Sequence, residues 1–270
     1  MTHLNFFETE LALELPDTIN HQVRYLFTDV DDTLTWQGKL PSNTLRALEQ
    51  LAEAGIQVIP VTGACAGWCD CMVRTWPVSA VIGENGAFWM QKNALGQIKT
   101  HYFLDDIRRR QQHEELLLIQ DQLLNEFPFA RATADQRYRE TDIAFDIHQQ
   151  HHNSDEEIAI LIKALEAHGI HARKSSIHIN AWRGDYDKAS TAIAWLKSQG
   201  VSEQEFMLQV AFVGDSANDI SMFDQFKMTF GVANIRAFLD LLNTPPRFIT
   251  KKNGGFGFVE VANCLLKHSI

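Results

Sequence analysis

Four short polar islands, in order along the chain, hold the residues whose types and spacing could do chemistry. They are Asp29-Val-Asp-Asp-Thr-Leu-Thr35, Val61-Thr-Gly63, Tyr186-Asp-Lys188 and Gly214-Asp-Ser-Ala-Asn-Asp219. Asp29 and Asp31 stand two apart just beyond an apolar run. A loop there can aim one carboxylate at a phosphorus atom and the other at a leaving group, as nucleophile and general acid/base. The last island sets Asp215, Asn218 and Asp219 within five residues after another apolar run, a donor set that suits a hard, oxygen-preferring cation. Gathered together, Asp29, Asp31, Thr62, Lys188 and Asp215 would make an acidic Mg²⁺ site beside a hydroxyl and an ammonium. Phosphoryl transfer needs that set: a carboxylate, a metal, and donors for the phosphoryl oxygens. Each island alone has a plainer reading, as an Asp-rich turn, a strand-ending Thr, a solvated lysine or an Asx helix cap.

The elements around the islands favour the chemical reading. Tyr25-Leu-Phe and Ala211-Phe-Val read as buried strands, and each runs directly into an Asp-rich island. Open α/β sheets place their ligands at the carboxyl ends of such strands. Residues 41–54 predict a helix, with a stripe of Leu45, Leu48, Leu51 and Ala52 and a stop at Gly55. With strands over 24–28 and 56–61 this is a right-handed βαβ unit, hence a parallel sheet. A third run, Val78–Ile82, ends in Gly83-Glu-Asn-Gly86. Between about 88 and 183 the texture changes to alternating strands (97–103, 142–147, 176–182) and two helices (105–126, 154–168). Strands with one polar face suggest an antiparallel sheet. Leu116, Leu117, Leu118, Leu123 and Leu124 would pack on that sheet or on another subunit, and the sheet is favoured because a helix must cover it in any case. A helix over 188–199, a strand over 207–214, a helix over 218–226 and a strand over 228–232 follow. The expected architecture is α/β: a doubly wound, Rossmann-like parallel core (1–87 and 186–270) with an inserted α+β cap (88–185).

Composition bounds the rest. A chain of 270 residues with 45% hydrophobic and 21% charged residues can bury a large core. A net charge of −10 argues against nucleic-acid and anionic-membrane partners. It does not disfavour a small phosphorylated metabolite, because a bound cation reverses the local field. No apolar run reaches the roughly 18 residues of a membrane span. Residues 1–8 hold no Lys or Arg and do not read as a secretory signal, so a cytoplasmic protein, monomeric or weakly dimeric, is expected. Cys65, Cys69, Cys71 and Cys264 match no usual zinc spacing and read as reduced structural thiols. His148, His151 and His152 read as a loop.

With these residues in place, the chain resembles the haloacid dehalogenase superfamily of phosphohydrolases. Their pattern is Asp-x-Asp-x-Thr, a strand-end Thr or Ser, a Lys, then Gly-Asp-x-x-x-Asp. The insertion between Thr62 and Lys188, the Gly83-Glu-Asn-Gly-Ala87 turn and the Asp185-Tyr-Asp-Lys188 approach are similar to subclass IIB, which has Cof-like and sugar-phosphate phosphatase members. The resemblance implies that Asp29 attacks phosphorus and that Asp31 protonates the leaving alkoxide and later activates water. It implies that Thr62 hydrogen-bonds a phosphoryl oxygen and that Lys188 holds the nucleophile and neutralises transferring charge, with Gly63, Asn85 and Lys188 beside the substrate. Mg²⁺ would bind Asp29, the Asp31 carbonyl and Asp215, supported by Asn218 and Asp219, and Thr33 would steady the first loop. Two departures stand out. Ala64 follows Thr-Gly where many relatives carry Arg, and Asp32 stands where many carry Gly.

Substrate choice would lie with the cap. In Ile177-His-Ile-Asn-Ala-Trp182, alternation puts His178, Asn180 and Trp182 on one face. That face is either a substrate-facing surface, with His178 and Asn180 as contacts, or a solvated one beside a packed Trp. The leading functional expectation is an Mg²⁺-dependent phosphoric monoester hydrolase acting on a small phosphomonoester, with a sugar phosphate favoured. A phosphomutase or phosphotransferase using the same aspartyl-phosphate is the alternative. A phospho-receiver domain fits poorly, since the candidate nucleophile follows the first strand and a large insertion interrupts the domain. A silent binding protein fits poorly with the intact set of site residues.

Overall fold

The computed structural model describes residues 13–19 and 22–267. The lead-in expected over 1–22 and the N-terminal residues 1–8 lie largely or wholly outside them. Chain order begins with β1 (Leu13–Glu14), β2 (Tyr25–Thr28), α1 (Ser42–Glu53), β3 (Gln57–Pro60), α2 (Ala66–Thr75) and β4 (Ala80–Gly83). Next come β5 (Phe88–Lys92), β6 (Ile98–Tyr102), α3 (Asp106–Glu126), β7 (Ile143–Asp146), α4 (Asp155–Ala167), β8 (His171–Lys174) and β9 (His178–Trp182). The chain then runs through α5 (Lys188–Ser198), α6 (Glu203–Gln209), β10 (Val210–Gly214), α7 (Ile220–Gln225), β11 (Met228–Gly231), β12 (Phe248–Ile249) and α8 (Gly254–Leu266).

The central sheet is six-stranded and wholly parallel, in the order β1-β12-β11-β10-β2-β3. Its strands are continuous apolar runs because both faces are covered. Leu26, Val58, Ala211 and Val213 point into one cluster with Leu48 and Leu51 of α1 and Phe258 and Val261 of α8. Their neighbours Phe27, Ile59, Val210 and Phe212 point into the other, with Trp195 of α5 and Met222 and Phe223 of α7. Alternation along each strand thus sorts side chains to two helix layers. Because β2 lies between β10 and β3, the residues that follow Thr28, Gly214 and Pro60 emerge side by side at one edge.

A second sheet, β7-β9-β8, is antiparallel, and α3 and α4 cover one of its faces. Leu116 and Leu123 of α3 pack there on Ile143, Phe145 and Ile179. Leu118, expected to cover the sheet with them, is exposed. The opposite face carries Asn180 and His178, and every residue of β9 is buried. The solvated alternative for that face is therefore wrong: the chain itself covers it.

The hairpin β5–β6 pairs with β4, which meets the end of β3 through the Val61–Ile82 bridge. The expected boundary at residue 88 cuts this three-stranded sheet, and we propose a smaller inserted module running from α3 to β9. Other departures are local. Residues Met207–Gln209, expected to open a strand, close helix α6 instead, because Ser202 and Glu205 form a reciprocal capping box at its start. Helix α7 begins at Ile220, after a 3₁₀ turn over Ala217–Asp219. Helices α2 and α8 and strands β5, β8 and β12 have no counterpart in the sequence reading.

Candidate active site at the carboxyl edge of the parallel sheet

Asp29 sits one residue beyond β2, held there by its own N–H donating to the Val213 carbonyl of β10 at 2.9 Å. Oxygens of Asp29, Asp215 and Asp219 lie within 4.8 Å of one another, and all three residues are buried. Lys188 Nζ enters this group, donating to Asp29 Oδ1 at 2.7 Å and Asp219 Oδ1 at 2.8 Å. Its position follows from local structure. Asp187 caps α5 by accepting from Ser190 N at 2.7 Å, so Lys188 is the first residue of that helix. Gly86 (φ +109°) lets the turn after β4 press against the Asp187 carbonyl, where a Cβ would collide. Thr191 Oγ1 closes that contact by donating to Gly86 O at 2.6 Å.

The electrostatics are lopsided. Burial opposes the Lys188 charge, but Asp219 and Asp29 outweigh it and raise its pKa. Burial pushes Asp29 up to about 8 against the pull of Lys188. Burial, then the Asp29 and Asp219 charges, lift Asp215 well above the carboxylate range. One ammonium does not balance so many buried carboxylates, and the donors are all oxygen. The set fits a hard divalent cation, which would restore the missing charge.

Asp31 follows in the loop. Burial, then its neighbour Asp32, raise its pKa to about 6, while Lys188 and Arg139 hold it down. Asp32 has φ +56°, a left-handed conformation that Asp tolerates better than most residues, and its Oδ1 accepts from Gln37 N at 3.3 Å. The loop is steadied by Thr35, whose Oγ1 accepts from Asp32 N at 3.0 Å and donates to Val30 O at 3.2 Å. The expected steadying residue, Thr33, is buried, yet its hydroxyl has no partner among the described residues. Thr62, buried at the end of the β3 run, donates its N–H to Ile82 O at 2.9 Å and accepts from Ala64 N at its Oγ1 at 3.0 Å.

The other expected residues divide. A Cβ on Gly63 would stand 3.0 Å from Asn180 Oδ1 and 3.1 Å from Asn85 Nδ2, so Asn85 and Asn180 both flank the Thr62–Gly63 turn. Asn85 Nδ2 is buried without a partner among the described residues. Asn218 turns toward Asn85 Oδ1 (3.4 Å) rather than toward Asp215. Asp219 spends one oxygen on Lys188 and the other on Asp215 N (3.1 Å), so it orients those two residues rather than presenting a free ligand. His178 gives its Nε2 to Gln149 Oε1 at 2.8 Å; burial, then Arg139, lower its pKa to about 4. Three contributors were not anticipated. Asn234 donates to Asp215 Oδ2 at 2.9 Å and to Asp32 O at 3.1 Å. Buried Glu84 accepts from Ala66 N at 2.9 Å, Glu140 N at 3.0 Å and Thr141 N at 2.7 Å. Arg139 donates to Gly63 O at 3.0 Å. Asn234 and Arg139 are lone polar residues that no local spacing marks, whereas Glu84 lies in the Gly83–Ala87 turn that the sequence singled out without a role for its carboxylate. The thiols are free as expected: Cys65, Cys69 and Cys264 are buried and Cys71 is exposed.

Across residues 26–240, from β2 to beyond β11, the sequence matches haloacid dehalogenase-like hydrolases. The chain belongs to that family. The insertion between Thr62 and Lys188 is consistent with the family's subclass IIB. Solved structures share the fold of this hydrolase along nearly their whole length. A Thermoplasma acidophilum protein is 20% identical with a TM-score of 0.69, covering 92% of this chain and 99% of its own. The sucrose-phosphatase of Synechocystis, solved with sucrose and phosphate, is 16% identical with a TM-score of 0.63, covering 89% and 96%. A Bacteroides thetaiotaomicron phosphatase of the same superfamily is 18% identical with a TM-score of 0.60, covering 93% and 96%. Among curated proteins, none matches. No helix among the described residues is long and apolar enough to cross a membrane.

Proposed function

We propose that this hydrolase cleaves a small phosphomonoester, with a sugar phosphate the favoured class, through an aspartyl-phosphate on Asp29. The observation that supports it best is the buried meeting of Asp29, Asp215 and Asp219 with Lys188 Nζ, 2.7 Å from Asp29 Oδ1. A carboxylate nucleophile, an ammonium and an undercompensated acidic pocket are the parts that phosphoryl transfer needs. Asp29 and Asp215, with the Asp31 carbonyl, would hold Mg²⁺, which when bound neutralises charge on the phosphoryl oxygens.

The side chains divide the work. Lys188 orients Asp29 and favours its ionised form against burial. An Asp29 oxygen bonds to phosphorus as the bond from phosphorus to the leaving oxygen breaks. Asp31, raised to about 6, gives its proton to that leaving oxygen. In the second half, water attacks phosphorus, its proton passes to Asp31, and the Asp29–phosphorus bond breaks to regenerate the carboxylate and free phosphate. Thr62 donates to a phosphoryl oxygen. The sugar preference rests on the uncharged polar residues Asn85 and Asn180 beside Gly63, and on the sucrose-phosphatase that shares the fold.

Phosphate release across a panel of sugar phosphates and other small phosphomonoesters tests this, with Asp29→Asn alongside. Release from a few members, abolished by chelation and by the substitution, is the expected result. A folded protein that binds Mg²⁺ but releases phosphate from none would overturn the reading in favour of transfer to an acceptor or of a binding role.

A further inference from the structure

We propose that Arg139, carried by the inserted module, is a positioning residue for the phosphoryl site and sets the Thr62 hydroxyl through the Gly63 carbonyl. This rests on the phosphatase reading and extends it to a residue far in sequence from every motif.

A guanidinium with a fully buried side chain must be paired. Arg139 has partners on its own module: Nη1 lies 3.0 and 3.1 Å from the two oxygens of Asp142, and Nη2 lies 3.4 Å from Asp135. Burial works against its charge, and Asp142, Asp135 and Glu84 more than restore it. Charge neutrality alone does not require a contact outside the module. Yet the same Nη1 donates to Gly63 O at 3.0 Å, and Asn180 Nδ2 of β9 donates to that oxygen at 3.1 Å. Two donors from separate elements of the module converge on one carbonyl at the catalytic edge. Gly63 permits this because it has no side chain: a Cβ would crowd Asn180 Oδ1 and both polar atoms of Asn85.

The consequence passes through one peptide plane. Gly63 O and Ala64 N belong to the same planar unit, so fixing the carbonyl fixes the N–H on its other side. Ala64 N donates to Thr62 Oγ1 at 3.0 Å. That bond occupies a lone pair of the hydroxyl and leaves its single proton to be donated elsewhere. Among the described residues no acceptor takes that proton. The hydroxyl is therefore held as a donor, and the module holds it. Seating the module and arming Thr62 become one event.

Removing Arg139 alone would strand Asp142 in the interior, so the test uses Arg139→Gln with Asp142→Asn, which removes the charge pair at nearly constant volume. Turnover of acetyl phosphate, whose leaving group is too small to engage the module, is measured together with thermal stabilisation by inorganic phosphate in the presence of Mg²⁺. Parent, Thr62→Val, the paired variant and the triple variant form a cycle. Expected are a fall of about ten-fold in kcat and in phosphate affinity for the paired variant, and less than about two-fold further loss when it is added to Thr62→Val. Unchanged kcat and phosphate affinity, or losses that multiply in full in the Thr62→Val background, would overturn the proposal and leave Arg139 a packing residue. A parent that turns over no donor yet is stabilised by phosphate would count against the phosphatase reading alone, and the phosphate cycle would still decide the role of Arg139. A parent that neither turns over a donor nor binds phosphate overturns both.

Discussion

Two groups of buried charge lie near the carboxyl edge of the parallel sheet, and they differ in how densely they are hydrogen-bonded. At the sheet edge, Asp29, Asp215 and Asp219 share one ammonium, and burial raises the pKa values of Asp29 and Asp215. Where the module meets the core, Arg139 is matched by Asp142 and Asp135, and Glu84 collects N–H groups from Ala66, Glu140 and Thr141 together with the Thr141 hydroxyl. The second group is dense in hydrogen bonds, which fixes its geometry, although Arg139 Nε and Asp135 Oδ1 have no partner among the described residues and burial lifts Asp142 to about 8. The first has fewer donors for its carboxylates and is held at a cost in stability, which on the proposed reading a bound cation offsets. On the proposed reading, the first group binds and the second aligns.

The largest expected effect breaks the first group: Asp29→Asn should lower kcat at least about a thousand-fold while the protein stays folded, as turnover and circular dichroism together would show. Next comes the second group. Arg139→Ala should cost about 3–5 kcal/mol in urea unfolding, because it leaves carboxylates buried without a partner. Arg139→Gln with Asp142→Asn should cost far less, and equal losses would mean the pair is not the source.

His178 sharpens the contrast through pH. Its pKa is depressed from the ordinary 6.5 to about 4, so between those values the unfolded chain binds a proton that the folded one refuses. The contribution of His178 to stability therefore falls as pH drops from about 6.5 to about 4, by up to about 3 kcal/mol. His178→Gln should flatten that slope in denaturation curves across the window, and parallel slopes would contradict the assignment. The smallest effect is the most telling for the first group. Asp215→Asn should raise the metal-free melting stability by about 1 kcal/mol through relief of repulsion, and should abolish stabilisation by added Mg²⁺. A variant less stable without metal would argue against a charge-starved pocket.

The first group was largely legible in the sequence and the second was not, for a physical reason. Asp29, Lys188 and Asp215 each follow a strand or open a helix whose pattern is local, such as the α1 stripe of Leu48 and Leu51 before β3. Glu84 meets Glu140 and Thr141, and Arg139 meets Gly63, only when chain segments 56 to 76 residues apart pack together. Asn234 likewise reaches Asp215 from beyond β11. The missed elements share a cause. In α2, the run Ala-Gly-Trp-Cys-Asp-Cys shows no clear stripe, and α8 opens Gly-Gly-Phe-Gly, poor helix formers. Tertiary packing makes both: Val73 and Cys69, like Phe258 and Val261, complete one face of the sheet. His178 and Asn180 were rightly placed on one face of β9, but whether that face meets water or the core depends on where the module sits, which alternation does not encode.

The most direct test of the account is to ask where phosphate goes. The protein is mixed with acetyl phosphate and Mg²⁺, quenched in acid within the first turnovers and mapped by peptide mass spectrometry, with the Asp31→Asn variant used to slow the hydrolytic half. The account predicts a phosphoryl adduct on the peptide holding Asp29, lost when Mg²⁺ is chelated and absent in Asp29→Asn. Phosphate release at parent rates with no adduct in either protein, or an adduct on another residue, would contradict it.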